Sequence, residues 1–126
     1  MATTWLDKAN IGVDIEEVNR FRKIKFSENR DFYNKIFTPK EISYCLSKND
    51  PYQYFTARFC AKEAILKALD KSHGLSMKSI EILKNAFGAP IVKVHHLDLD
   101  NFKYILSLSH TKSIAIAFAI VIKEFK

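Results

Sequence analysis

The chain has 126 residues, 48% of them hydrophobic and 10 of them phenylalanine. That is enough for one domain with a real core, and it excludes a disordered composition. The formal charge of +6 favours an anionic partner but does not choose among nucleic acid, nucleotide, membrane surface and acidic protein.

No apolar run reaches the roughly 20 residues that cross a bilayer. The N-terminus lacks a basic start followed by an apolar core, so no secretory signal is expected and the cytoplasm is the expected location. Cys45 and Cys60 are the only cysteines. They fall on predicted helices and are expected to be buried free thiols. Without a C-x-x-C or H-x-x-x-H spacing, a zinc site is not expected.

The segment Asn10-Ile11-Gly12-Val13-Asp14-Ile15 alternates as a strand, with Ile11, Val13 and Ile15 on its core face. Asp14 then lies on the other face, with room left beside it by Gly12. Aspartate is a poor strand former, which makes that carboxylate a candidate functional group. Residues 16–24 read as a helix with Val18 and Phe21 inward. Arg20, Arg22, Lys23, Lys25 and Arg30 make the densest positive cluster of the chain, a candidate docking surface. A short helix over 31–37 should bury Phe32, Ile36 and Phe37. Thr38-Pro39-Lys40-Glu41 is a capping box with proline at the first helical position, opening a helix over 39–47 that buries Ile42, Cys45 and Leu46.

Residues 54–69 form a long helix with strong helix formers and no Gly or Pro. A wheel puts Phe55, Phe59, Leu66 and Leu69 on a bulky stripe and Ala57, Ala61, Ala64 and Ala68 on a stripe of small residues. A narrow polar strip between them holds Thr56, Glu63, Lys67 and Asp70. With two apolar stripes, this helix should run through the middle of the molecule. Glu63 and Lys67, one turn apart, form an ordinary exposed ion pair or one wall of a site. Lys62 falls beside the bulky stripe, near Arg58 and away from Glu63.

The second half reads as strands over 79–84, 91–95, 104–109 and 114–122, with turns at 85–90 and 109–113. In the last strand an isoleucine face backs onto a face of Ala115, Ala117, Ala119 and Val121, and the small face could meet the alanine stripe of the long helix. The predicted class is α+β: an antiparallel sheet of about four to five strands packed around a central long helix. No repeat or linker interrupts it, so residues 1–126 are taken as a single domain with 1–9 as an N-terminal extension.

Only Gly12, Gly74 and Gly88 are glycines, so neither a Walker loop nor a Rossmann fingerprint is possible. Phosphates would have to be met by Lys, Arg, His, hydroxyls or a metal. If the first strand lies against the long helix, Asp14 and Glu63 share a site that suits Mg²⁺, and Lys67 can neutralise phosphate charge. His110, between Ser109 and Thr111 at a turn tip, offers further donors, although turns are filled with polar residues for local reasons too.

Three stretches, in this order, resemble the signature blocks of the holo-acyl-carrier-protein synthases, the short-type 4′-phosphopantetheinyl transferases. They are Ile11-Gly12-Val13-Asp14-Ile15, Arg58-Phe59-Cys60-Ala61-Lys62-Glu63-Ala64-Ile65-Leu66-Lys67-Ala68 and Ser107-Leu108-Ser109-His110-Thr111. The resemblance implies Mg²⁺-dependent transfer of 4′-phosphopantetheine from coenzyme A to a serine of an apo acyl carrier protein, releasing adenosine 3′,5′-bisphosphate. It implies Asp14 and Glu63 as metal ligands. Lys67 would contact the phosphate and protonate the leaving group, and Glu63 or a metal-bound water would help deprotonate the serine. Ser109, His110 and Thr111 would bind the 3′-phosphoadenosine end, and Arg58, Lys62 and Gly74 would flank the coenzyme. Arg20 would meet the acidic recognition helix of the carrier. The family's short members are homotrimers with active sites between subunits, so His110 would serve a neighbour's site. Two departures stand out: the family's Gly-rich stretch is Asp70-Lys71-Ser72-His73-Gly74 here, and the helix before the third block is reduced to an acidic stretch over 96–101. A basic nucleic-acid-binding module, whose affinity would fall steeply with salt, fits less well, because the aromatics sit at core-like spacings. A family member that binds coenzyme A or carrier without turnover is the remaining alternative.

Overall fold

A computed structural model describes residues 4–69, 74–99 and 101–123. Nine regular elements follow in chain order: β1 (Ala9–Glu17), α1 (Val18–Arg22), α2 (Arg30–Ile36), α3 (Pro39–Leu46), α4 (Pro51–Ala68), β2 (Ile80–Lys84), β3 (Pro90–Val94), β4 (Lys103–His110) and β5 (Ile114–Ile122). Short 3-10 turns at Trp5–Lys8, Phe26–Glu28 and Met77–Ser79 fill three of the connections.

The α+β class holds, but the strands divide between two antiparallel sheets rather than joining in one. One sheet has the order β1-β5-β4 and the other pairs β2 with β3. In the larger sheet Asp14 pairs with Ala117, which pairs in turn with Leu108. Its small-residue face, Ala115, Ala117, Ala119 and Val121, packs against Ala57, Ala61, Ala64 and Ala68 of α4 in one buried cluster. Small side chains on both partners let helix and sheet approach closely. The bulky stripe of α4 splits between two cores. Leu66 and Leu69 join the alanine cluster, whereas Phe55 and Phe59 enter an aromatic cluster with Phe21, Tyr33, Phe37 and Cys45. Rings there meet at 4.7 Å (Tyr33–Phe55) and 5.0 Å (Phe37–Phe55), distances at which aromatic pairs attract beyond mere burial.

Some sequence expectations need correcting. The faces of β1 are reversed: Ile11, Val13 and Ile15 are exposed, and Gly12 and Asp14 face α4. Gly12 decides this, because a Cβ there would lie 1.9 Å from the Ala64 carbonyl oxygen, so only glycine lets the strand backbone touch the helix. Strand β1 also runs on to Glu17, paired with Ile114, where a helix was expected from residue 16. Helix α4 begins three residues early at Pro51, and Leu46 is exposed rather than buried. The capping box of α3 forms as expected, with Thr38 Oγ1 accepting from Glu41 N and Glu41 Oε1 accepting from Thr38 N. Both cysteines are free and buried, and burial pushes the Cys45 thiol up to about 12.

Candidate active site

Close contact at Gly12 brings Asp14 to the flank of α4. There the Lys67 ammonium donates to the Val13 carbonyl at 2.9 Å and to Asp14 Oδ1 at 3.1 Å. Lys67 is thus tied to the strand as well as lying one turn from Glu63. Glu63 is half-buried on the same flank. The buried Cys60 thiol reports the company these groups keep. Its proton is held first by burial, then by the negative charges of Asp14, Glu16 and Glu63 around it. Glu16 is itself taken up by Arg20 at 2.5 Å, and the Arg20 guanidinium lies over the Phe59 ring at 5.4 Å. The carboxylate flank therefore has a positive rim supplied by α1.

A second group gathers on the opposite flank. Arg58, Lys84, Gly88, Pro90, Ser109 and His110 line a cavity of about 290 Å³ between α4, the β2–β3 hairpin and the end of β4. Arg58 is buried, with its Nε lacking a hydrogen-bond partner. The imidazole Nδ1 of His110 meets Gln53 Oε1 at 3.1 Å. Gln53 donates its Nε2 to Asp50 Oδ2 at 2.9 Å, and Asp50 is fixed by Arg22 at 2.6 Å. That chain orients the Gln53 amide so that its oxygen faces the ring, which assigns the proton of neutral His110 to Nδ1. Burial first, then the charges of Lys84 and Arg58, hold the His110 pKa below the usual imidazole value.

These two groups lie on either side of the alanine stripe, with the helix between them. Glu16, Ala115 and His110 share one row across three neighbouring strands. That row spans roughly 10 Å, about the width of the helix lying over it.

The remaining expected site residues fall elsewhere. Lys62 is fully buried, donating to Glu41 Oε1 at 2.7 Å and to the carbonyls of Met77 and Ile80 at 3.0 and 2.6 Å. Its ammonium ties α4 to α3 and β2 inside the core and joins neither group. Thr111 Oγ1 accepts from Ser113 N and Ile114 N within the β4–β5 turn. Ser109 does share the lining of the His110 cavity, although it is exposed on β4 and only His110 of that pair is turned toward α4. Gly74 is exposed at φ 61°, just beyond residues 70–73, which lie outside the described residues together with Asp70 of the polar strip. Thr56 is buried and donates to the Tyr52 carbonyl instead of lining the strip. Sequence reasoning missed Lys84 and Gln53. Only the docking of the β2–β3 hairpin beside β4 brings Lys84 near His110, and no local pattern in the chain signals it.

This layout matches a known family. A model of the 4′-phosphopantetheinyl transferase superfamily matches residues 10–119. The chain belongs to that superfamily. Among curated proteins it is 43% identical over 111 residues to the holo-[acyl-carrier-protein] synthase of Thermodesulfovibrio yellowstonii, covering 88% of this chain and 96% of that one. It is 40% identical over 121 residues to the Chlamydia caviae protein of the same name, covering 93% and 99%. Two solved structures of holo-[acyl-carrier-protein] synthases superpose with TM-scores of 0.77. The Helicobacter pylori protein, in complex with coenzyme A, is 30% identical and covers 88% of this chain and 98% of that one. The Bacillus anthracis protein, in complex with CoA (3′,5′-ADP), is 28% identical and covers 90% and 96%.

Proposed function

We propose that this chain is a holo-acyl-carrier-protein synthase that moves 4′-phosphopantetheine from coenzyme A to a serine of an apo acyl carrier protein. The observation that carries the reading is the convergence of Asp14, Glu63 and Lys67 on one flank of α4 in a chain of this superfamily.

The donor set fits Mg²⁺. Asp14 and Glu63 offer hard carboxylate oxygens, and Mg²⁺ is ordinarily held by one or two carboxylates together with waters and substrate phosphates. When bound, Mg²⁺ draws negative charge from the pyrophosphate of coenzyme A. Lys67 faces the same phosphate from its anchor on Val13 and Asp14 and supplies positive charge as the leaving oxygen develops its own. The carrier serine attacks the phosphorus that bears the pantetheine arm. Its proton passes to the carboxylate flank, where Glu63 is the base. The bond to the bridging oxygen breaks, and adenosine 3′,5′-bisphosphate departs.

Arg58 and His110 line a cavity on the far flank, suited to the phosphoadenosine end. One chain cannot bring that cavity over its own Asp14, because α4 stands between the two. A second subunit resolves this. Ile11, Val13, Ile15, Ile105, Ile116 and Phe118 give the larger sheet an exposed apolar outer face, of the kind that marks a protein interface. The assembly is a homotrimer in which the carboxylate flank of one subunit faces the His110 flank of its neighbour. Arg20, at the rim of the carboxylates, receives the acidic carrier. No helix among the described residues is long and apolar enough to cross a membrane, and two unpaired thiols suit the reducing cytoplasm in which we place the protein.

The test is mass spectrometry of apo acyl carrier proteins incubated with this protein, coenzyme A and Mg²⁺. Gain of the pantetheine arm is the expected result, and no gain across several carriers would reject the function.

A further inference from the structure

Arg22 lies two positions from Arg20 in the basic cluster of α1, yet the two side chains leave the helix on opposite sides, as a two-residue step of about 200° requires. Arg20 turns to Glu16 and the Phe59 ring at the carboxylate flank. Arg22 turns the other way, where its Nη2 donates to Asp50 Oδ2 at 2.6 Å and its Nη1 to Asn19 Oδ1 at 3.1 Å. A charged Asp50 carboxylate can only accept. The Gln53 amide therefore turns its Nε2 toward Asp50, at 2.9 Å, and its oxygen is left against His110 Nδ1, at 3.1 Å. Burial raises the Asp50 pKa, but the hydrogen bonds from Gln53 and Arg22 outweigh it and hold the carboxyl below its usual value, so the acceptor stays charged. Helix α1 is tied to the same end of the sheet through Val18 N, which donates to the Ser113 carbonyl at 2.8 Å. The Arg22–Asp50 pair is about one-third exposed on both sides (33% and 32%) and adds little stability. Its effect falls on orientation. With Asp50 held, the Gln53 amide cannot turn over, and an amide oxygen facing the ring requires a proton on Nδ1. Burial, Lys84 and Arg58 oppose a second proton on that ring, while the Thr111 backbone and Asp50 favour it.

We propose that Arg22 is a positioning residue for His110 and not part of the carrier docking surface: through Asp50 and Gln53 it fixes which nitrogen of the ring carries the proton. A ring held this way can take a second proton on Nε2 and donate it to an anion, while its Nδ1–H still donates to Gln53. With the amide reversed, N–H groups face Nδ1, the proton of the neutral ring moves to Nε2, and a second proton is opposed by the amide. In the homotrimer His110 serves a neighbour's site, so Arg20 and Arg22 act on two different active sites from one turn of helix. The inference rests on the reading that the His110 cavity takes the phosphoadenosine end of coenzyme A.

The test joins turnover of the full chain to a spectroscopic readout that needs no turnover. Arg22→Gln and Asp50→Ala should raise KM for coenzyme A about 3–10-fold, the scale of one hydrogen bond, and leave kcat and KM for the carrier within about twofold of wild type. A charge-swapped chain, Arg22→Asp with Asp50→Arg, restores the ion pair but offers the Gln53 amide a donor in place of an acceptor. The amide then reverses, so KM for coenzyme A should stay raised although the pair is back. Nitrogen-15 NMR of the neutral His110 ring should place its proton on Nδ1 in the wild type, in part on Nε2 in Asp50→Ala and on Nε2 in the swapped chain. Asp50→Ala carries the comparison alone where the swapped chain does not fold. A raised KM for the carrier with KM for coenzyme A unchanged makes Arg22 a docking residue and overturns the inference. A swapped chain with the wild-type KM, or a proton that stays on Nδ1 in the variants, overturns it too. A wild type that transfers nothing overturns the proposed function instead, and the NMR comparison still decides whether Arg22 positions His110.

Discussion

Gly12 on β1 and Ala64 on α4 touch backbone to backbone, so closely that a methyl group on Gly12 would meet the Ala64 carbonyl oxygen at 1.9 Å and Ala68 N at 3.0 Å. Neither obstacle is the end of a flexible side chain, so strand and helix would have to part. Gly12→Ala should therefore destabilise the protein by about 2–4 kcal/mol, the upper range for forcing volume into a packed interior. It should also lower transfer activity, because Asp14 would draw away from Lys67. Thermal melts and turnover on the same sample check both; a full-stability variant would contradict the contact.

Substitutions at the carboxylate flank should separate chemistry from folding. Glu63→Ala is expected to abolish transfer and Lys67→Ala to lower kcat by about 10²–10³-fold, the scale of losing one preorganised charge at a transition state. Because Lys67 is exposed, its loss should shift the melting temperature little. Arg20→Ala should chiefly raise KM for the carrier, and it should do so less at high salt, where screening already weakens the encounter.

Lys62 should behave in the opposite way. Both it and Glu41 are fully buried, so Lys62→Met leaves a buried carboxylate with its N–H donors but without its cation. Breaking such a pair costs about 3–5 kcal/mol. The fraction that folds should retain its KM for coenzyme A. A large rise in KM without loss of stability would place Lys62 at the coenzyme instead.

The His110 pKa is held below the usual imidazole value, so the ring is neutral at pH 7. For a histidine whose folded pKa is depressed, the favourable contribution to stability is present above the unfolded value and is lost as pH falls below it. His110→Gln should therefore flatten part of the stability loss on the acid side of about pH 6.5. Adenosine 3′,5′-bisphosphate in the cavity should raise the His110 pKa by supplying negative charge, which an NMR titration of the ring protons would follow. A downward shift on binding would place the phosphate elsewhere.

Much of this was legible in the sequence because it is local. The capping box at Thr38–Glu41, the alanine stripe of α4 and the alternating faces of β5 all follow from short-range spacing, and each formed as expected. The orientation of β1 was not legible. Alternation gives two faces without saying which is inside, and hydrophobicity points to the isoleucines. The decisive residue was Gly12, whose missing side chain matters only once Ala64 lies against it. Lys62 shows the complementary limit: the wheel set it apart from Glu63 and it was expected to flank the coenzyme, yet its partners Glu41, Met77 and Ile80 come from α3 and the approach to β2. The division into two sheets and the place of Lys84 likewise depend on contacts between distant segments. The pairing of Asp14 with Lys67 joins residues 53 positions apart, and the sequence offered it only on the condition that the first strand lies against the long helix.

The central claim, transfer at a site shared between neighbouring subunits, is tested most directly by mixing two disabled chains. Glu63→Ala removes the carboxylate flank and His110→Ala removes the other flank, so each variant alone should leave apo acyl carrier protein nearly unmodified. Unfolded together and refolded as mixed trimers, they should regain about a quarter of wild-type transfer, since about one interface in four then joins two intact flanks. The readout is the mass gain of the carrier in the presence of coenzyme A and Mg²⁺. Recovery near that level is the predicted result; mixed trimers as inactive as their parents, beside an active wild type, would contradict it.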